Sequence, residues 1–135
     1  MTMIRHIILM AVMALAAITA QAQQVTYQIK YSYEYDMQKY DYIKRLDYDE
    51  GTVVKDGDRQ VTLKGVVYQV QSKDREVNDE KRYSLQYTVK DSQGAEYIIC
   101  FNKEYSFTDE LKYQVVFFSA ANPYHWMYYI TDSGK

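Results

Sequence analysis

The fold class is decided by the stretch VTYQIKYSYEYD, residues 25–36, in which every second residue is apolar or aromatic and those between are polar. Successive side chains of a β-strand point to opposite faces, so this alternation predicts a strand with one face turned inward. The residues predicted on the inward face are Val25, Tyr27, Ile29, Tyr31, Tyr33 and Tyr35.

The same two-residue period predicts a further strand at 83–89, and more fully apolar β-forming runs predict strands at 95–101, 112–119 and 125–131. Asp56-Gly57, between two short β-forming stretches, predicts a tight hairpin, because both central residues of such a turn need a positive φ. Residues 37–48 are ambiguous: an apolar residue every third position favours a short helix, whereas the tyrosines favour a strand. Both interpretations stay open.

In residues 60–71 the apolar residues change parity at Gly65, which is typical of a bulge in one long, bent strand. A charged loop follows at 72–81, then two strands joined by a turn at 91–94. A connector at 102–111, with one helical turn predicted near residue 108, leads to the last two strands. This order resembles the OB-fold, a five-stranded, partly open Greek-key barrel, over about residues 59–131.

The fold prediction is therefore an all-β domain. It is a small, OB-like, partly open barrel, with residues 25–57 as an N-terminal strand or hairpin extension. The alternative is a meander barrel or a sandwich of seven or eight strands.

The N-terminus has the three parts of a cleavable secretory signal peptide. A basic start containing Arg5 precedes an apolar run at 7–18, and Ala20-Gln21-Ala22 provides small residues for cleavage. We expect residues 1–22 to be removed, leaving 23–135 as a single β domain with no stable membrane anchor. The predicted location is the periplasm or the cell exterior.

The sequence offers little for catalysis or metal binding. After signal removal His125 is the only histidine, and Cys100 is the only cysteine of the chain. We therefore predict no catalytic residues, no cofactor and no metal site. The formal charge of −2 becomes −3 without Arg5, which makes nucleic acid an unfavourable partner.

The unusual feature is tyrosine, with 16 residues against four phenylalanines and one tryptophan. Tyrosine combines an apolar ring with a polar tip and is common at interfaces. On the last strand, we expect Trp126, Tyr128 and Ile130 to face inward. The candidate partner-binding residues lie in two clusters: Tyr31, Tyr33, Tyr35, Tyr40 and Tyr42 in the first, and Tyr124, Trp126, Tyr128 and Tyr129 in the second, next to His125.

These observations predict an exported, non-catalytic binding module that engages a protein, a peptide or a glycan through exposed aromatic side chains. Two alternatives remain open. One is a barrel that carries a small lipid or aromatic ligand, and the other is a structural or assembly component of the cell envelope.

Overall fold

The computed structural model describes residues 24–105 and 110–135. The predicted signal peptide, and residues 106–109 of the connector predicted at 102–111, lie outside these residues. The described part contains nine strands: β1 (Gln24–Asp36), β2 (Asp41–Leu46), β3 (Thr52–Asp56), β4 (Gln60–Leu63), β5 (Val66–Asn78), β6 (Arg82–Lys90), β7 (Glu96–Tyr105), β8 (Leu111–Ser119) and β9 (His125–Thr131).

The strands form a closed, antiparallel meander barrel. Eight of them follow the order β1-β3-β4-β5-β6-β7-β8-β9, and β9 pairs back with β1 to close the wall. β1 pairs with β3 through residues 24–28 and with β9 through residues 29–36, so the two neighbours of β1 are staggered along it. Such stagger tilts the strands against the barrel axis, as closure requires. Of these nine strands, β2 pairs only with β1, along the second half of β1, and lies outside the closed wall.

The prediction of a partly open OB barrel is wrong, and the meander-barrel alternative is correct. The reason lies at Lys64-Gly65, where the predicted bulge is a two-residue turn with φ angles of 50° and 83°. Two consecutive positive φ angles belong to a tight hairpin turn. The stretch read as one bent strand is therefore the β4–β5 hairpin, paired from Leu63 and Val66 outward.

Two other segments also differ from their sequence interpretation. Residues 72–78, predicted as part of a charged loop, continue β5, which pairs with β6 through two irregularities in register. Residues 37–48 contain a turn and a strand, with no helix. The Asp36 carboxylate accepts hydrogen bonds from the backbone N–H groups of Gln38 and Lys39 at 2.9 and 3.0 Å, which turns the chain into β2. The hairpin predicted at Asp56-Gly57 is confirmed and joins β3 to β4, but its turn differs from the predicted one. Asp56 is the last residue of β3 and pairs with Gln60, the loop is residues 57–59, and Gly57 has the positive φ, 56°, that the prediction assigned to both residues.

The barrel interior is filled largely by aromatic rings. Tyr68, Tyr97 and Phe117 contact one another with ring centroids 5.0–5.3 Å apart. Further along the interior, Phe101 contacts both Tyr27 and Tyr87. Aliphatic residues from the strands fill the space around these rings, namely Ile29, Val53, Val61, Leu63, Leu85, Val89, Ile99 and Val115.

Candidate binding surface

A bulge in β1 decides which tyrosines face the solvent. Ile29 pairs with Thr131, but the next pair is Tyr31 with Ile130, so Lys30 is an extra residue that reverses the alternation. Before the bulge, Ile29 faces the core. After it, Ser32 takes the inward position and is only 1% exposed. The prediction that one continuous face points inward is therefore wrong beyond Ile29, because Tyr31, Tyr33 and Tyr35 point outward.

The outward face of β9 is opposite to the predicted one. Tyr129 pairs with the inward Ser32 and belongs to the hydrophobic core, whereas Tyr128 pairs with Tyr33. Trp126 and Ile130 share the face of Tyr128 and therefore also point outward. Of the predicted binding residues, Tyr129 is thus an interior residue. Its burial, with smaller effects from Asp49 and other acidic groups, raises its pKa to about 12.

Six aromatic rings on the outside of the barrel form a continuous row across β8, β9, β1 and β2, which we call the aromatic ladder. Phe118 stacks on Trp126 with centroids 4.8 Å apart, and Tyr33 stacks on Tyr128 at 4.7 Å. Trp126 and Tyr128 are 6.1 Å apart and join the two stacks. Tyr42 continues the row with edge contacts to Tyr33 and Tyr35 at 5.4 and 5.3 Å. The members are Phe118, Trp126, Tyr128, Tyr33, Tyr42 and Tyr35.

The stacked rings of the ladder turn their edges outward, since their faces cover one another. Tyr33 and Tyr128 lie only 13° from parallel, and Phe118 and Trp126 only 4°. Desolvation, followed by the neighbouring hydroxyls of Tyr128 and Tyr42, raises the pKa of Tyr33 to about 12. The Tyr33 hydroxyl is therefore neutral at physiological pH and offers both a donor and an acceptor.

The surface under and beside the ladder is apolar. Val116 pairs with Tyr128 across β8 and β9 and is 3% exposed, although it lies outside the core cluster. Ile130, opposite Tyr31, is 8% exposed. The Arg45 guanidinium lies over the Tyr31 ring, 5.9 Å from its centroid. The ladder therefore lies on buried aliphatic side chains of the barrel wall.

Side chains are more exposed beside the ladder, where the β1–β2 turn meets the β8–β9 turn. The Met37 N–H donates a hydrogen bond to the Tyr124 carbonyl at 2.7 Å, which joins the β1–β2 turn to the β8–β9 turn. Trp126 is fixed there as well, because its indole N–H donates to the Pro123 carbonyl at 2.7 Å. Tyr40 and Tyr124, both in these turns, are 77% and 54% exposed.

The two predicted clusters thus form one surface, with Tyr31 at its side and with Tyr40 and Tyr124 at its end. Sequence reasoning missed Phe118, which lies in a run apolar on both strand faces, where alternation gives no signal. It also missed the exposed apolar residues of β2, because residues 37–48 had no settled structure. Ile43 and Leu46 are 52% and 39% exposed.

Four pockets toward the ends or surface of the barrel have volumes of about 80 to 220 Å³. Ligand pockets for drug-sized molecules usually enclose ~300 Å³ or more. In residues 24–105 and 110–135, three or more His, Cys, Asp or Glu side chains nowhere converge as a metal ion would require. The same residues contain no helix that is long and apolar enough to cross a membrane.

Cys100 faces outward, and its thiol donates to the Gln86 side-chain carbonyl at 3.7 Å. Burial, with a smaller effect from Asp74, raises the pKa of this thiol to about 11. His125 contacts Glu34 at 2.9 Å. Cys100 and His125 therefore each contact another side chain.

Comparison with protein-family models, with curated proteins and with solved structures found no match.

Proposed function

We propose that this protein is an exported, non-catalytic binding module that engages a protein or peptide partner through the aromatic ladder. The observation that carries the proposal is the position of six aromatic rings on the outside of a barrel whose interior is already filled with others. Tyrosine and tryptophan are enriched in protein interfaces, where a rigid ring provides contact area at low entropic cost.

The orientation of the rings favours a protein or a peptide over a glycan. Sugars pack on exposed aromatic faces, whereas the faces of Trp126 and Tyr128 are covered in part by their neighbours. The outward edges carry hydroxyl and C–H groups that suit a polypeptide surface. The small-ligand carrier has less support, because the interior is occupied and the pockets are small.

Display of a random peptide library on the purified protein, in parallel with a glycan array, tests the proposal. Binders selected on the wild type are then measured against Tyr42→Ala and Tyr128→Ala, with Tyr105→Ala as the matched control. Tyr105 is 50% exposed, close to the 61% of Tyr42, and lies outside the ladder. We expect losses of about tenfold or more for the ladder variants and less than about twofold for the control.

Peptide binders that tolerate both ladder substitutions would refute the proposed surface, and binding of glycans alone would refute the partner class. Export is tested separately by N-terminal sequencing of the protein from the producing cell. The expected first residue is Gln23, and an intact Met1 would contradict export by this route.

A further inference from the structure

β2 has a free edge that its neighbours leave open. One side of β2 pairs with β1, and its other side pairs with no strand in the described part of the chain. All six residues of β2 are exposed. Backbone N–H and C=O groups of alternate residues along such an edge point away from the sheet and can pair with another strand.

The second free edge, on β5, is protected against pairing. Among the described residues, β5 has β6 on one side only beyond residue 70, and this part of β5 contains two register irregularities and four consecutive charged residues, 73–76. Bulges and charges are the usual protection of edge strands. By contrast, of the nine exposed large hydrophobic residues in the described part of the chain, five lie in or beside β2: Tyr40, Tyr42, Ile43, Leu46 and Tyr48.

We propose that a second copy of this chain pairs with β2 in antiparallel orientation and forms a two-fold symmetric dimer. This inference does not depend on the ladder binding any other partner. A two-fold axis through the paired strands requires that residues opposite each other point to the same face. Tyr42 and Arg45 pair with the outward Tyr35 and Tyr33, whereas Asp41 and Leu46 pair with residues of the other face.

The pairing of β2 with β1 shifts register between Glu34 and Tyr35, and one register of the dimer satisfies this requirement on both sides of that shift. It places Tyr42 opposite Arg45 of the second copy, and Asp41 opposite Leu46 of the second copy. Asp41 then lies diagonal to Lys44 of the second copy, within reach of a long side chain. Symmetry produces each contact twice.

Charge complementarity supports this register. This register forms two Tyr–Arg pairs and two Asp–Lys pairs. Arg45 already makes a cation–π contact within its own chain, with the ring of Tyr31. The register shifted by one residue would place Lys44 opposite Lys44 of the second copy, where like charges repel. Because the edge has only six residues, the buried area is small and we expect a dissociation constant on the order of 10–100 µM.

Sedimentation equilibrium tests the dimer on protein expressed from its full coding sequence, over about 5–500 µM. We expect Asp41→Lys and Lys44→Asp each to weaken the dimer about tenfold or more, and the double reversal to restore it to within about threefold. Glu80→Lys is the matched control, since Glu80 is exposed in the β5–β6 turn and makes the same charge change far from β2. It leaves the dimer unchanged.

Hydrogen exchange at low and high protein concentration identifies the edge that is used. The expected result is protection of residues 41–46 that increases with concentration, while residues 71–78 exchange at the same rate throughout. A monomer up to about 500 µM, a dimer unaffected by the single reversals, a double reversal without rescue, or protection at 71–78 would each overturn the proposal.

Discussion

Asp49 holds the loop between β2 and β3 against the barrel, and its removal gives the sharpest test of the fold. The Ser32 hydroxyl, inside the barrel and 1% exposed, donates to the Asp49 carboxylate at 2.6 Å. The Lys64 ammonium donates to the other carboxylate oxygen at 2.7 Å. Burial alone would raise the Asp49 pKa, but the hydrogen bonds from Lys64 and Ser32 outweigh it and hold the pKa below its ordinary value.

Asp49→Ala leaves the Ser32 hydroxyl buried without its partner, which costs about 1–3 kcal/mol. The Lys64 side chain is 37% exposed, so loss of its ion pair adds only about 0.5–1 kcal/mol. We therefore expect the free energy of unfolding to decrease by about 2–3 kcal/mol. In a domain of this size, that corresponds to a decrease in Tm of about 8–12 °C.

Urea unfolding followed by the fluorescence of Trp126, the single tryptophan, measures this change. Asp47→Ala is the matched control in the same loop, because the Asp47 side chain is 86% exposed and its pair with Arg45 is solvated. We expect the control to stay within about 0.5 kcal/mol of the wild type. A double-mutant cycle with Ser32→Ala should give a coupling energy of about 1–2 kcal/mol. Additive single effects, or a cost for Asp49→Ala no larger than that of the control, would refute the reasoning.

Three further predictions follow from the structure. A hydrogen bond from the Tyr87 hydroxyl, and then one from Lys73, lower the pKa of Asp58. The stability that this lowered pKa provides is present above about pH 4 and is lost as the pH falls through the folded-state pKa. The urea midpoint should therefore decrease from pH 4 to pH 2 and remain level from pH 5 to pH 7. Alkylation of Cys100 at pH 8 should be about 100-fold slower in the folded than in the unfolded protein, because a pKa of about 11 leaves few thiolates; equal rates would contradict its burial. Gly65→Ala should destabilise the protein by about 1–2 kcal/mol in urea unfolding, because φ is +83° there, and a neutral substitution would contradict the turn.

Sequence periodicity predicted the all-β class, the β3–β4 hairpin and aromatic clusters on the surface of the domain, because each has a local signature. Alternation identifies strands without long-range information, and Gly57 has the backbone freedom that its turn uses, with a φ of 56°. The order in which the strands pair has no such local signature. A bulge and a two-residue hairpin at Gly65 both exchange the two faces of the chain, so the parity change alone could not separate an OB barrel from a meander.

The face of β9 could not be predicted for a related reason. Trp126, Tyr128 and Ile130 alternate with Met127, Tyr129 and Thr131, and both sets contain large apolar residues. A strand with two apolar faces has no polar side to mark the solvent. Its orientation is decided by the neighbour, through the pairing of Tyr129 with the inward Ser32.

The bulge at Lys30 connects the closure of the barrel with the aromatic ladder. Without the extra residue, Tyr31, Tyr33 and Tyr35 would continue the inward face of Ile29 into an interior that Tyr68, Tyr97, Phe117 and Tyr129 already fill. Protein interiors are close-packed, so three more rings would have no volume to occupy. The bulge instead turns the small Ser32 inward and the three tyrosines outward, where Tyr33 meets Tyr128 and Tyr35 meets Tyr42. The packing limit of the core is therefore the physical reason that the ladder lies on the surface.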